Sequence, residues 1–386
     1  MPKVLINPAK YVQGPSELAK LGSYVTDYGS HALVLITPGG EKRFGAMIAE
    51  SFAAAGAAAC EGNAAADKPC EASAPIYTLL HHQGNCTVRA MEAGTEKARA
   101  LGCDVIVGIG GGTVLDTAKA VAFNTKKPLI ICPTAASTDA PCTGLVVVYS
   151  EEDTVADFIQ GRNPDLVLMD TEVLAKAPVR LTMSGIGDAL STYFECRQAA
   201  LTESTNTAGG KPTLTAQAIA KLCYETLLAE GPKAKLALEA GVVTPAVEKI
   251  IEANSYMSGI GFESGGLAAC HAIHDALTTL PGTHGLYHGE KVAFGVVTQL
   301  MMEDASEEEL EEIYLFLMEI GLPVTFEELG IADVTDEELM GAAREACPEG
   351  GNIHHMPFEV TPQRVFAAMK AADAYGRMMW EMADDE

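Results

Sequence analysis

The sequence predicts an N-terminal α/β domain on a parallel sheet and an all-α C-terminal domain. Three observations carry this. Short β-rich runs alternate with helical stretches through the first half, which implies parallel strands covered on both faces. From about residue 180 the apolar spacing is helical almost throughout, as in "LTAQAIAKLCYETLLAE" and "VEKIIEANSYMSGIGF". The length, 386 residues, suits two domains. The boundary falls near Pro178, giving an α/β domain over 1–178 and a helical domain over 179–386.

The elements follow in order. "HALVLIT" is a strand that ends in the turn "PGG", and "RFGAMIAESFAAAG" has helical spacing. "CDVIVGIGGG" is a strand running into a glycine turn, and "TVLDTAKAVAFN" is the helix that leaves it. "KPLIICPT" and "PDLVLMDT" are again strands. The small-residue stretch over 53–75 is weakly patterned and reads as a helix end followed by a long loop.

Composition bounds the function. Apolar residues make up 48% and charged residues 20%, a globular balance. The net charge of −26 argues against nucleic acid or an anionic membrane as partner, because phosphates need a basic surface. No apolar run approaches the roughly 18 residues of a spanning helix. The start lacks the order of a signal peptide, so a cytoplasmic location is expected. The ten cysteines form no C-x-x-C pair and read as reduced, small apolar residues.

"VIVGIGGGTVLDTAKAV" joins strand, glycine turn and helix. Gly110, Gly111 and Gly112 can take positive φ and let backbone approach a ligand. The following helix N-terminus suits a pyrophosphate, so the sheet is Rossmann-like. The spacing is not G-x-G-x-x-G, and a plain tight turn also fits. The strand "HALVLIT" ends in Thr37, where a dinucleotide site normally has an acidic residue on the ribose, and Lys42 and Arg43 follow. NAD and NADP are both admitted. "PTAASTDAPCTGLVVVYS" leaves another strand with Thr134, Ser137, Thr138, Asp139 and Thr143 close together. A ligand loop and a capped turn fit it equally.

Four of nine histidines, His271, His274, His284 and His288, fall within eighteen positions. His271 and His274 share a helix face, and His288 follows beyond a turn at Pro281 and Gly282. Two imidazoles from adjoining elements are candidate metal ligands, and packed histidines are the plain alternative. A catalytic zinc usually takes three protein ligands and leaves one position open. Asp188, in "SGIGDALSTYFE", is the candidate carboxylate.

Together these pieces resemble the zinc-dependent polyol branch of the iron-containing alcohol dehydrogenase superfamily, which shares the dehydroquinate synthase-like fold. The resemblance spans nearly the whole chain: "PAKYVQG", "GIGGGTVLDTAKAVA", "PTAASTDAPCTGL", "RNPDLVLMDT", "GIGDALSTYFE", "GKPTLTA", "ANSYMSGIGFESGGLAACHAIHDAL", "YHGEKVAFG" and "IHHMP". It implies a metal held by Asp188, His271 and His288. It implies a nicotinamide cofactor against Gly110, Gly111, Gly112, Asp116, Thr134, Ser137, Thr143, Leu145, Tyr149 and Thr37. Asp139 falls where the family has an aspartate facing the polyol. His274, on the ligand helix, is a supporting catalytic candidate, and His284 is a loop residue.

Iron-dependent relatives carry histidine four residues after the metal aspartate, and here that position is Thr192. Three protein ligands and one zinc ion per subunit are therefore implied. Three departures stand out: Thr37 where Asp is usual, Thr113 where Lys is common, and a longer Ala/Cys-rich stretch before "PIYTLLHHQGNC".

The implied reaction is oxidation of glycerol to dihydroxyacetone, and its reverse, by hydride transfer from a zinc-bound alkoxide to NAD or NADP. Large homo-oligomers are implied too. Rival readings are another vicinal diol or hydroxy-ketone as substrate, a dehydroquinate synthase-like lyase, or a non-catalytic descendant. A phosphorylated, carboxylated substrate would need Lys and Arg at the site, and the metal motifs offer little besides Lys291.

Overall fold

The structure, a computed structural model, describes residues 1–64, 74–152 and 154–384. Residues 65–73 of the small-residue stretch lie outside the described residues. The chain divides into two compact units. One comprises Asn7–Ala135 and Ala140–Ala177; the other comprises Met1–Ile6, Ala136–Asp139 and Pro178–Glu386. The first six residues and a four-residue segment thus group with the helical unit.

Among the described residues of the α/β unit, eight strands are β1 (Tyr11–Gly14), β2 (His31–Ile36), β3 (Ile76–His81), β4 (Val105–Gly110), β5 (Leu129–Pro133), β6 (Leu145–Tyr149), β7 (Val155–Gln160) and β8 (Leu166–Asp170). Its helices are α1 (Leu21–Thr26), α2 (Pro38–Ala64), α3 (Val88–Ala100), α4 (Gly112–Thr125) and α5 (Thr171–Leu174). Six strands form one parallel sheet in the order β1-β8-β5-β4-β2-β3. Side chains alternate across a strand. Ala32, Val34 and Ile36 of β2 join Val105, Val107 and Ile109 of β4 in a core with Leu21, Ile48 and Phe52. Leu33, Leu35 and Ile106 face the other way, against Val114, Leu115 and Ala118 of α4. Burial on both faces explains why these strands are continuous apolar runs.

The stretch read as one polar loop contains a strand. Residues 145–149 pair antiparallel with 155–160 in a separate two-stranded sheet. Val155 and Phe158 of β7 are exposed, so the alternation that marks a half-buried strand is missing there.

The helical unit contains α6 (Val179–Leu201), α7 (Leu214–Glu239), α8 (Pro245–Glu252), α9 (Ser258–Gly265), α10 (Cys270–Leu277), α11 (His288–Glu303), α12 (Glu307–Ile320), α13 (Asp336–Glu345) and α14 (Pro362–Asp384). Between α8 and α9 the backbone widens into a π-helical turn, Ala253–Met257. No helix of the described residues is long and apolar enough to cross a membrane.

Helices α6 and α11 meet backbone to backbone. A Cβ on Gly289 would sit 1.7 Å from the Ser184 carbonyl oxygen, and one on Gly187 would sit 2.3 Å from that of Gly289. Gly289 N–H also donates to Ser184 Oγ at 3.1 Å. Glycine at both positions is therefore a packing requirement, and it sets Asp188 on α6 beside His288 on α11. We predict that Gly289→Ala, which must push the helices apart, costs about 1–3 kcal/mol or more in urea unfolding. Stability unchanged within about 0.5 kcal/mol would contradict this packing.

Candidate metal centre and nucleotide loop

Asp188, His271 and His288 come together within the helical unit. Their ligand atoms all lie within 4.8 Å of one another. The Nε2 atoms of both histidines face the same carboxylate oxygen, Asp188 Oδ1, at 3.4 Å for His271 and 3.2 Å for His288. Burial opposes the charge on Asp188, yet the two imidazoles hold its carboxyl far below the usual range. Burial likewise opposes a charge on His271, but Glu195 and Asp188 outweigh it and raise its pKa.

The other nitrogen of each histidine is engaged elsewhere. His271 Nδ1 meets Glu195 Oε2 at 2.5 Å. His288 Nδ1 meets His274 Nε2 at 2.9 Å, and His274 Nδ1 meets Asp275 Oδ1 at 2.9 Å. A carboxylate only accepts, so His274 donates from Nδ1 and accepts at Nε2; this assignment follows from the network. His288 must then donate from Nδ1, which leaves its Nε2 lone pair free. Burial first, and the neighbouring His288 second, push His274 down to about 3, so it stays neutral in this role. Two imidazoles with their Nδ1 atoms held and one ionised carboxylate fit a divalent metal with a further position open.

Glu195, fully buried, does more than touch His271. Its Oε1 accepts the backbone N–H groups of Ala268 and His271 at 3.0 and 3.1 Å. Gln299 Oε1 accepts those of Ala269 and Cys270 at 3.0 and 3.1 Å. These two side chains satisfy the free N–H groups at the start of α10, which no residue of its own caps. Cys270 is buried among them, and burial raises its thiol pKa. The sequence reading missed Glu195. The signal was its spacing: seven residues after Asp188, it lies on the same face of α6.

Asp139 stands beside this triad. Its backbone N–H donates to Asp188 Oδ2 at 3.3 Å. Burial and the Asp188 charge push its carboxyl up to about 8. Thr192 turns its hydroxyl to Ser258 Oγ at 2.9 Å. His284 lies in a short 3-10 turn, Pro281–Gly285, where its Nε2 meets the Thr278 carbonyl at 3.1 Å.

The nucleotide residues fall into two groups. Gly110 ends β4, and Gly111 and Gly112 open α4, whose first turn no side chain caps. None of the three has positive φ, contrary to the expectation. Gly111 instead sits at φ −89°, and a Cβ on Gly111 or Gly112 would meet nothing within 4 Å. The glycines keep open space in front of free N–H groups, which fits a phosphate. Thr134 N–H donates to the Gly110 carbonyl at 3.0 Å. Thr37 Oγ1 accepts from Gly40 N–H at 2.9 Å at the start of α2, and Lys42 and Arg43 are exposed beyond it.

The other candidates are also bonded within the scaffold. Buried Lys119 donates to Asp116 Oδ1 at 3.0 Å, to Thr143 Oγ1 at 3.5 Å and to the Leu145 carbonyl at 2.8 Å. Asp116 Oδ2 accepts from Val147 N–H at 3.2 Å. This cluster ties the β6–β7 hairpin to α4. Tyr149 N–H donates to the Cys86 carbonyl at 2.8 Å. Ser137 belongs to the Ala136–Asp139 segment of the helical unit.

Comparison with known proteins identifies the family. Residues 64–171 match the family model described as iron-containing alcohol dehydrogenase. The glycerol dehydrogenase of Citrobacter freundii is 44% identical over 380 residues, 98% of this chain and 99% of that protein. The glycolaldehyde reductase of Halobacterium salinarum is 40% identical, covering 98% of this chain and 99% of its own. The crystal structure of the Schizosaccharomyces pombe glycerol dehydrogenase superposes with a TM-score of 0.91 at 35% identity, over 99% of this chain and 93% of that one. The chain belongs to the iron-containing alcohol dehydrogenase family. It is an oxidoreductase of the CH–OH group that works with a nicotinamide cofactor and a divalent metal.

We predict that Glu195→Gln, which keeps the shape but removes the charge behind His271, weakens metal affinity about 10–100-fold in chelator competition. Unchanged affinity would show that Glu195 caps α10 and no more.

Proposed function

We propose that the protein oxidises glycerol to dihydroxyacetone, and catalyses the reverse, with Asp188, His271 and His288 holding the divalent metal. The observation that carries this reading is one carboxylate and two Nδ1-anchored imidazoles converging, with Asp139 beside them and not among them. When bound, the metal supplies Lewis acidity to a substrate hydroxyl and the nicotinamide accepts the hydride. The chain's own residues bind and aim the polyol. His274 keeps His288 in the tautomer that leaves Nε2 free. Asp139 accepts a hydroxyl remote from the reacting carbon. Overall, glycerol loses two hydrogens: one leaves as hydride to the cofactor, the other as a proton.

The charge around the triad favours a neutral substrate. Asp139 and Glu195 lie against it and Asp275 stands behind it on His274, whereas buried Lys291 has its pKa lowered by burial. A phosphorylated or carboxylated substrate would meet repulsion there, which disfavours the lyase reading. The 40% identity to a glycolaldehyde reductase favours a second reading, a small hydroxy-aldehyde or another vicinal diol at the same site.

The cofactor of this reading is NAD, with NADP admitted because Thr37 places no carboxylate against a 2′-phosphate. Gly111 and Gly112 take the pyrophosphate. A cytoplasmic homo-oligomer belongs to the same reading.

Metal-loaded protein should oxidise glycerol, chelation should remove the activity and zinc should restore it. His271→Ala should lower kcat/KM by about a thousandfold or more. Full turnover in that variant overturns the metal assignment, and turnover confined to another diol or to glycolaldehyde selects the second reading. In the same assay, Thr37→Asp should raise the preference for NAD over NADP at least about tenfold. An unchanged ratio would remove Thr37 from the cofactor site.

A further inference from the structure

Asp139 has one oxygen anchored and one open. Its Oδ2 accepts from Ser258 Oγ at 2.9 Å. Among the described residues its Oδ1 has no hydrogen-bond partner. Ser258 is fully buried, and so is Thr192 to within 2%. A serine hydroxyl has one proton, and here it goes to Asp139. The contact between Thr192 Oγ1 and Ser258 Oγ at 2.9 Å must then be donated by Thr192. With Asp139 ionised, the order runs Thr192 to Ser258 to Asp139.

The backbone is shaped to deliver this chain. Ser258 is the first residue after the π-helical turn Ala253–Met257, which shifts the residues that follow it around the helix axis. Within the same turn, Asn254 donates to the Ala136 and Thr182 carbonyls at 3.0 and 2.9 Å. It thereby ties the Ala136–Asp139 segment to α6. A Cβ on Gly261 would lie 2.3 Å from Thr192 Cγ2, so α9 bears no side chain where Thr192 packs. The segment is held at its start by Asn254 and at its end by Ser258.

We propose that Ser258, oriented by Thr192, is a positioning residue that turns Asp139 Oδ1 toward the terminal hydroxyl of a three-carbon polyol and so sets selectivity for a triol over the diol that lacks that hydroxyl. The inference rests on polyol oxidation as proposed above and deepens it. Position 192, one helical turn beyond Asp188, acts here through substrate selection.

The test compares glycerol with propane-1,2-diol on metal-loaded enzyme carrying Ser258→Ala, Thr192→Val or Thr192→Ser. Glycerol dissociation constants are measured by calorimetry without nicotinamide. Ser258→Ala should raise KM and the dissociation constant for glycerol about tenfold and leave propane-1,2-diol within about twofold. Thr192→Val should move the same way by a smaller factor, and Thr192→Ser should behave as the parent. Metal content and melting temperature are followed in each variant. Equal losses on both substrates, or unchanged glycerol binding in Ser258→Ala, overturn the inference while the parent's glycerol turnover leaves the functional reading intact. A parent that turns over neither polyol overturns both.

Discussion

The site depends on one constraint: α6 and α11 must touch through bare backbone. The Cβ of any other residue at Gly289 would occupy the place of the Ser184 carbonyl oxygen. Only that contact lets Asp188, in the middle of a long helix, face His288 at the first position of another. The third donor needs a different device. His271 rides on α10, a helix of eight residues whose N-terminus is satisfied by Glu195 and Gln299. The same Glu195 carboxylate fixes the helix and the imbalance of the ring it carries: Nδ1 held, Nε2 free. Stability and ligand geometry are therefore one interaction on α10.

The charge pattern follows from this arrangement. Four carboxylates in and around the triad would repel one another if left alone. Each has a defined answer. Asp188 faces two imidazoles, Glu195 is matched to His271 and two backbone N–H groups, and Asp275 to His274. Asp139 is the least compensated, with burial and Asp188 both opposing its charge. A carboxylate left in that state beside an open position is suited to accept from a neutral hydroxyl, and unsuited to an anion.

Much of the fold was legible because buried parallel strands are compositionally plain. "HALVLI" and "VIVGIG" are apolar on both faces, and both proved to be central strands. The β6–β7 hairpin was not legible, because Val155 and Phe158 face outward and the preceding residues look like a polar loop. In the site, spacing placed His271 and His274 on one face but did not distinguish ligand from support. The distinction lies in what each Nε2 meets: Asp188 Oδ1 for His271, and His288 Nδ1 for His274. Glycine at 111 and 112 was read as freedom of φ. The structure shows ordinary φ and empty space at the Cβ positions, a reason that sequence does not distinguish from the first. Asp116 and Thr143 sit inside a ligand-like motif, yet Lys119 draws both into the scaffold.

The proposed site holds its metal by two imidazoles and one carboxylate and leaves a position for the substrate. X-ray absorption at the zinc edge of the zinc-loaded protein, without and with glycerol, tests it most directly. Two imidazole nitrogens, one carboxylate oxygen and a further light-atom ligand that changes when glycerol is added are expected. Sulfur in the coordination sphere, or a spectrum that glycerol leaves untouched, would contradict it.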